Sequence, residues 1–381
     1  MNQIFFYFLP TNVHILLPMT LFFAAGIWWG KTNHFSILVL LFFITTVYIL
    51  LQKNKVKSIV KTGLFLLFFM VGSFRIKNQE KKHYLFFKNI YNKNHIITGT
   101  INSINKSNHI FYKRCININN VKIIKNKKIK SFDYGVNFYI NKLTNLKIGD
   151  NIEIKNIIFK EPKNKSFTDY TIKESKITAF SNKNITIKKL NSSVKTITLF
   201  LSSKKSELLK SFRKKMQKKT FTLFSSIFLG NKLEVKKELN KEKQYFKLWG
   251  ILHYLARSGL HLVIFVWIWQ LILMYIPLSF FIKKIIILFL GVIYCLFSWP
   301  STPFIRAFLL FFLYNTSSLT NFKTHFLHGL TLVSFLVLFT NPIQLFFLDF
   351  QLSYGITIAL AWFNHIIAQN KSLKKAKDSC L

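Results

Sequence analysis

The feature that most constrains this chain is a set of long apolar runs, which form two blocks on either side of a polar middle. A helix needs ~20 residues, flanks included, to cross the hydrocarbon core of a bilayer. The runs cover residues 15–30, 35–51, 62–74, 260–275, 285–299, 304–314, 327–340 and 350–367. We therefore predict a polytopic α-helical membrane protein, with about three helices in residues 1–75 and about five in residues 249–381.

Residues 76–192 form a different kind of segment, in which apolar and polar side chains alternate. The alternation covers residues 95–101, 134–140, 151–157 and 184–187, with turn-forming groups such as Ile148-Gly149-Asp150 between them. A period of two is typical of half-buried strands, and short strands at regular spacing predict a small β-sandwich or β-barrel. Because this domain is inserted between two membrane blocks, it must lie wholly on one side of the membrane.

Residues 193–248 predict a basic amphipathic helical connector. Leu201 and Leu209 belong to its apolar side, whereas Lys204, Lys210 and Arg213 belong to its charged side. Such a helix either lies on a membrane surface or lines the route of a polyanion. The sequence leaves both interpretations open.

The net charge is extreme, because 54 Lys and Arg residues stand against 13 Asp and Glu residues and give +41. Lys, Asn, Ile and Phe are abundant together, so compositional bias explains part of the lysine content. It does not explain the scarcity of acids. The balance favours a polyanion as partner, either nucleic acid or anionic lipid headgroups.

The short loops indicate how the chain is oriented. If the N-terminus is cytoplasmic, residues 53–61, Lys283, Lys284, Lys323 and the lysine-rich C-terminus all fall on the cytoplasmic side. That agrees with the positive-inside rule, which counts short loops and exempts long domains. Both termini are then expected inside the cell, and the β-rich domain outside the membrane.

The polar motif WGILHYLARSGLHL, residues 249–262, stands at the start of the second apolar block. Ionisable groups at that depth are costly, and they usually line an internal polar path. Two histidines eight positions apart lie ~12 Å apart on one helix, which is too far to share a metal ion. No acid lies nearby to orient a serine nucleophile, so we predict neither a catalytic residue nor a metal site. The candidates for a polar path are His253, Arg257, Ser258, Gly259 and His261.

Two charged residues further along the chain each have two possible roles. Arg306 follows Pro303 beside an apolar run, where it either snorkels to the membrane interface or faces a pore. Asp349 is one of the few acids, and it either pairs with Arg306 or caps the last helix. The three cysteines are too scattered for a metal cluster or a disulfide framework.

Taken together, these motifs resemble those of the ComEC family of competence proteins, which are inner-membrane DNA uptake channels. Residues 249–261 look like the family's G-x-x-HLLA-x-SGLH motif, and residues 227–230 are similar to its LLLGD segment, with Asn231 in place of the aspartate. Arg306-Ala307 resembles the family's RA step, and residues 350–354 with the preceding Asn-Pro pair resemble its NP…FQLSF signature. The structural motif positions are Gly230, Gly250, Asn341, Pro342, Gln351 and Ser353.

The resemblance extends to the polar middle. Residues 147–152 look like the L-x-x-GD-x-V turn of the family's external OB-like domain, and residues 167–170 look like the FDY segment that ends it. Larger family members carry further helices and a metallo-β-lactamase-like nuclease domain with an HxHxDH motif, which this sequence lacks. The resemblance therefore implies a short form without nuclease activity.

The resemblance implies that the protein is a multi-pass channel component of the bacterial inner membrane. Its function would be the uptake of single-stranded DNA in natural transformation. The motif residues at 253–261 would guide DNA electrostatically, with Arg306 second. No cofactor is expected. Separate competence proteins would supply the nuclease and the motor. Whether the chain forms a homo-oligomer is left open. The alternatives are a transporter of a smaller solute, a fragment without transport activity, and a membrane-anchored phosphodiesterase, which the scarcity of acids disfavours.

Overall fold

In the computed structural model, the chain divides into two compact units, which we describe separately. Unit 1 comprises Met1–Glu80, Gln270–Leu288 and Thr302–Leu381, and unit 2 comprises Lys81–Trp269 and Phe289–Ser301. The predicted run at residues 35–51 lies outside the described residues. The residues that the structure describes are 16–33, 55–90, 96–106, 112, 114–125, 128–131, 134–141, 146–159, 164–190, 197–230, 244, 247–249, 259–299, 301–320 and 326–378.

The other apolar runs all fall on helices, as their length and composition predict. A 3₁₀ helix, Pro342–Phe346, lies between the last two α-helices of the chain. The described α-helices are α1 (Leu16–Thr32), α2 (Lys55–Ile90), α3 (Lys165–Glu174), α4 (Ile197–Lys215), α5 (Lys218–Ile227), α6 (Gly259–Met274), α7 (Phe280–Phe297), α8 (Thr302–Leu319), α9 (Phe326–Thr340) and α10 (Leu348–Asp378).

Helix α7 is long and apolar enough to cross a membrane, and among the described helices it alone meets that criterion. Helices α6 and α9 are apolar but shorter. Phe281, Phe289 and Leu296 on α7 are exposed, which suits a helix whose surroundings are themselves apolar. The mostly helical architecture is therefore as predicted, while about eight membrane crossings stay a prediction.

Helices α1 and α2 of unit 1 approach each other closely through glycines. A Cβ atom added to Gly26 would lie 2.0 Å from the backbone oxygen of Phe69, and one added to Gly72 would lie 2.3 Å from that of Phe23. Phe23 is fully buried, and its ring meets Phe335 of α9 edge to face at 5.1 Å. Small residues permit such contact between helix backbones. The two glycines therefore set the spacing of α1 and α2.

Unit 2 contains a mixed sheet whose order is β1-β5-β6-β4-β2-β3, with an additional pairing between β1 and β2. Strands β1, β2, β4, β6 and β5 therefore pair in a closed circuit. Strands β4 and β6 are parallel, and the other pairs are antiparallel. The strands are β1 (Ile96–Lys106), β2 (Arg114–Lys125), β3 (Lys128–Ser131), β4 (Gly135–Ile140), β5 (Asn151–Phe159) and β6 (Lys176–Leu190).

Alternation of side chains along each strand builds the core of this sheet. Val136, Phe138 and Ile140 on β4 are buried, while Asn137 and Tyr139 between them are only half-buried. Successive residues of a strand point to opposite faces, so the apolar sets of β1, β2, β4, β5 and β6 meet on one side. Fully buried Ile101 and Ile152 belong to the same core.

The boundary between the first helical block and the sheet differs from the expected position near residue 75. Helix α2 continues to Ile90, and fully buried Phe86 packs into the sheet core, where its ring stacks on Tyr134 at 5.4 Å. The stretch Lys77–Lys82 is polar, but it is rich in residues that favour helix formation. The helix therefore continues beyond the point where the sequence stops being hydrophobic.

Strands β2 and β3 were also not predicted from the sequence.

The segment at residues 167–170, expected to end the external domain, lies in α3 and is followed by β6. Helix α3 begins after Asn164, whose side chain accepts a hydrogen bond from the backbone N–H of Ser166. It ends at Ser175, which adopts a left-handed conformation. The domain thus continues through the segment that resembles its end.

The Gly-Asp turn before β5 is held by its carboxylate. The Asp150 carboxylate accepts a hydrogen bond from the backbone N–H of Lys147 at 2.8 Å. It also forms an ion pair with the ammonium group of Lys189 at 2.7 Å. Burial alone would raise the pKa of this carboxyl, but the bonds to Lys189 and Lys147 outweigh it and lower the pKa. The backbone N–H of Ile101 also donates to the Asp150 carbonyl at 3.0 Å, which ties the turn to β1.

We expect substitution of Gly72 with alanine to lower the free energy of unfolding of the full chain by ~1–3 kcal/mol, because the new methyl group would clash with the backbone oxygen of Phe23. Gly63 provides the matched control, since it lies on the same helix with open space around it. Gly63→Ala should leave stability unchanged or raise it by up to ~1 kcal/mol. Denaturant titration in detergent, followed by circular dichroism, measures both. Equal effects would contradict close packing of α1 and α2.

Candidate functional site

The polar motif that the sequence singled out is only partly described. Gly250, His253, Arg257 and Ser258 lie outside the described residues, so the structure does not test their role. Gly259 begins α6, and His261 lies in the first turn of that helix with 8% of its surface exposed. Among the described residues, no group of three or more His, Cys, Asp or Glu side chains could hold a metal ion.

His261 packs within unit 2 against the end of α5. Its ring meets Phe228 edge to face, with the centroids 5.8 Å apart. The hydroxyl of Tyr294 on α7 donates to the carbonyl of Phe228 at 2.8 Å, and the backbone N–H of Trp299 donates to that of Leu229 at 2.8 Å. The segment at residues 227–230 is therefore fastened to the start of α6 and to the end of α7.

Gly230 ends this segment in a conformation that suits glycine. Its φ angle is 75°, which lies in the left-handed region where a Cβ atom would be strained. This accounts for glycine at the last position of the motif, independently of any functional role.

Arg306 occupies the centre of a second polar group, which lies in unit 1 between α8 and α10. Its Nη1 atom donates to the hydroxyl of Thr357, and its guanidinium lies 5.7 Å from the ring centroid of Tyr354. Thr357 in turn donates to the backbone oxygen of Ser353 at 2.7 Å. The half-buried guanidinium is thus held by one hydroxyl and one ring face.

Several buried atoms of this group have open hydrogen-bonding capacity. Within the part of the chain that the structure describes, Arg306 Nε, Ser353 Oγ and the Tyr354 hydroxyl are buried without a hydrogen-bond partner. Leaving a buried polar group unsatisfied costs ~1–3 kcal/mol. Such a cost at three neighbouring positions is typical of a site that takes its partners from a ligand or from water.

Asp349 lies beside this group but has partners of its own. Its Oδ2 atom accepts a hydrogen bond from the hydroxyl of Thr302 at 2.7 Å, and its Oδ1 atom accepts one from the backbone N–H of Phe350 at 3.1 Å. It stands in the first turn of α10, where a negative charge stabilises the helix dipole. Of the two roles considered, the structure therefore shows stabilisation of the helix start.

The Asn341-Pro342 motif has a structural role in unit 1, where α2 holds the 3₁₀ turn. The side-chain amide of Gln79 donates to Asn341 Oδ1 at 2.9 Å, and its oxygen accepts from the N–H of Ile343 at 3.4 Å. Arg75 donates to the backbone oxygen of Phe339 and lies over its ring.

From the other side of that turn, Gln351 donates to the carbonyl of Leu345 at 2.9 Å. Sequence reasoning did not identify Arg75 and Gln79, although Arg75 directly follows an apolar run. The contact partners of both residues lie more than 250 positions away along the chain, so no local pattern could reveal them.

The sheet carries an aromatic cluster on its half-buried face. Tyr112, Tyr139 and Phe180 have ring centroids 5.3–6.3 Å apart, and Tyr139 and Phe180 are stacked. Burial raises the pKa of the Tyr139 hydroxyl to about 12 and that of the adjacent Cys115 thiol to about 11. Cys115 is therefore a neutral thiol near pH 7 and a poor nucleophile, so this cluster offers ring surfaces rather than covalent chemistry.

Comparison with known proteins gives one finding. Residues 227–380 match the family model described as Competence protein, which covers α6 to α10 together with the segment at residues 227–230. The Arg306 group and His261 both lie within the matched residues. Neither the curated proteins nor the solved structures contain a match to this chain.

We expect Arg306→Met to leave the free energy of unfolding of the full chain unchanged or higher, because it replaces a desolvated cation with an apolar side chain of similar length. Thr302→Val should lower that free energy by ~1–3 kcal/mol, because the Asp349 carboxylate loses a donor. Denaturant titration in detergent measures both variants. A larger loss for Arg306→Met than for Thr302→Val would make Arg306 a structural residue.

Proposed function

We propose that this chain, whose residues 227–380 match the Competence protein family model, is a ComEC-like membrane channel component for the uptake of single-stranded DNA. The family match supports a role in competence. The single-stranded substrate, the channel and the multi-pass topology in the bacterial inner membrane are our proposals. The chain itself would perform no bond-breaking step, and separate proteins would supply nuclease and motor.

The observation that carries this proposal is the Arg306 group. An arginine placed among apolar helices is costly and marks a pathway for a polar substrate. Its unpaired Nε and the open hydroxyls of Ser353 and Tyr354 are hydrogen-bonding groups that suit phosphate oxygens, for which guanidinium has matching geometry. A DNA backbone passing this point would satisfy groups that are otherwise buried without partners.

The sheet of unit 2 supports a second contact with DNA. We propose that its closed circuit of five strands is an OB-like barrel, an architecture that binds oligonucleotides. Bases stack on aromatic rings without sequence preference, and cations follow the phosphate backbone. The cluster of Tyr112, Tyr139 and Phe180 would supply the rings, and β6, the strand of Phe180, carries exposed Lys188 eight residues further along.

The channel role is tested by expressing variants in a transformable bacterium that lacks its own uptake channel. We expect Arg306→Met to reduce DNA uptake by ~10–100-fold, the equivalent of one lost charge-assisted hydrogen bond. Arg306→Lys should retain an intermediate level because it keeps the charge. The measurement is the internalised fraction of labelled DNA, normalised to the amount of protein in the membrane.

Thr302→Val serves as the control in the same assay, because it perturbs the contact between α8 and α10 while leaving Arg306 in place. Its uptake should stay within about twofold of the parent chain when normalised in this way. Normal uptake by Arg306→Met would exclude a path past Arg306.

The DNA contact on the sheet is tested with the purified full chain in detergent. We expect Tyr112→Ala to weaken binding of a single-stranded oligonucleotide by ~5–150-fold, the range for loss of one stacked base. Tyr84→Ala, which removes an exposed tyrosine from α2, is the matched control and should have no effect. Binding by the parent chain should weaken as salt rises. Equal affinity of both variants would exclude the aromatic cluster as the stacking surface.

A further inference from the structure

The helices α4 and α5 form a strongly basic surface that the uptake role does not use. Residues 197–227, which we name the basic hairpin, contain eight Lys and Arg residues and one acid. The acid, Glu207, is paired with Lys204 at 3.0 Å. The cations are Lys204, Lys205, Lys210, Arg213, Lys214, Lys215, Lys218 and Lys219.

The inner face of the basic hairpin is defined by an apolar cluster within unit 2. Leu209 and Phe221 are buried, and Phe212, Met216, Leu229 and Trp299 pack against them. This packing joins α4 and α5 to each other, and it fixes which side of α4 faces outward.

The outer face of α4 carries apolar side chains as well as cations. Successive helix residues are 100° apart, so Phe200 and Lys204 lie on the side opposite buried Leu209, and Leu208 lies beside them, about 100° round the helix from Leu209. Phe200 is 62% exposed and Leu208 is 42% exposed. Lys214 and Lys215 project from the same side one to two turns further along, and both are exposed. Cations and apolar groups therefore alternate on one surface.

The basic hairpin is fastened to the end of α7, the helix that is long and apolar enough to cross a membrane. Lys205 donates to the backbone oxygen of Ser298 at 2.6 Å, and its ammonium lies 3.5 Å from the ring centroid of Trp299. Tryptophan is enriched where a membrane helix leaves the hydrocarbon core. A hairpin fastened there would lie at the level of the membrane surface at which α7 ends.

We propose that the outer face of the basic hairpin binds anionic phospholipid headgroups of the membrane surface at which α7 ends. Lysines close to such a surface are attracted to it individually, and the attractions add. The exposed Phe200 and Leu208 decide between this partner and a nucleic acid, because the acyl boundary of a lipid layer accepts apolar side chains. A phosphate backbone offers Leu208 no equivalent surface. This inference rests on the proposed membrane topology, in which α7 crosses the bilayer, but not on DNA uptake.

The test compares the full chain in nanodiscs of phosphatidylcholine with nanodiscs in which about a third of the lipid is phosphatidylglycerol. Hydrogen exchange measured by mass spectrometry reports the protection of backbone amides along α4 and α5. At low salt, we expect exchange of these amides to be slower by at least ~5-fold in the anionic discs, the factor expected for one lysine near the surface. High salt should abolish the difference.

Two triple variants separate a local effect from net charge. Lys210→Gln, Lys214→Gln and Lys215→Gln together should remove the slowing, whereas the control Lys81→Gln, Lys122→Gln and Lys165→Gln should retain it. All six lysines are exposed and lie in unit 2, so both variants change the net charge equally. Equal exchange in the two lipids, or equal losses in the two variants, would overturn the proposal.

An additional arm distinguishes lipid from nucleic acid. A single-stranded oligonucleotide is added to the full chain in phosphatidylcholine discs, where no anionic lipid competes. We expect it to leave the amides of α4 and α5 unchanged. Slowing by the oligonucleotide without slowing by phosphatidylglycerol would assign this surface to nucleic acid and overturn the proposal.

Discussion

The constraint on which the helical unit depends is that polar groups among apolar helices must find partners inside the protein. Without water to bind them, such groups cost several kcal/mol each. Gln79 with Asn341, Thr302 with Asp349 and Arg306 with Thr357 meet this requirement, and each pair joins different elements of unit 1. These hydrogen bonds fix how the elements of unit 1 are oriented against one another, which non-directional apolar contacts do not. They also explain why motif residues near the Asn-Pro turn are polar at all.

The same constraint identifies polar residues that serve the fold. Asn341 and Gln351 have partners that hold the 3₁₀ turn, so their contribution is to the fold. In contrast, Arg306 keeps an unpaired Nε within the described part of the chain, close to two open hydroxyls. Evolution of a stable apolar bundle would remove such groups at no cost to packing. Arg75 Nε and Gln344 Oε1 at the turn are also buried without a partner in the described structure, so the reason to propose function at Arg306 is that Ser353 and Tyr354 add two further unsatisfied hydroxyls to the same group.

The elements that sequence analysis located are those whose periodicity is strong and local. The apolar runs at residues 260–275 and 327–340 correspond to α6 and α9 almost residue for residue, and the alternation at residues 134–140 corresponds to β4. The extension of α2 to Ile90 was missed because its apolar contacts, such as Phe86 against Tyr134, are tertiary. The pairing of β1 with both β2 and β5, which closes the circuit of strands, is likewise a tertiary contact that the local sequence does not reveal. Partners distant in sequence leave no local signal.

The large positive charge has different roles in the two units. In unit 1, cations lie against aromatic rings and hydroxyl groups. Lys31 lies over the ring of Phe346. Lys284 lies over the ring of Phe280 and donates a hydrogen bond to the hydroxyl of Ser318. In the basic hairpin of unit 2, most cations are exposed and face outward. A cation whose neighbours already surround it cannot attract a distant polyanion as strongly as a cation on the surface. The net charge of +41 therefore overstates the attraction, to which, within the part of the chain that the structure describes, exposed cations such as those of the basic hairpin contribute most.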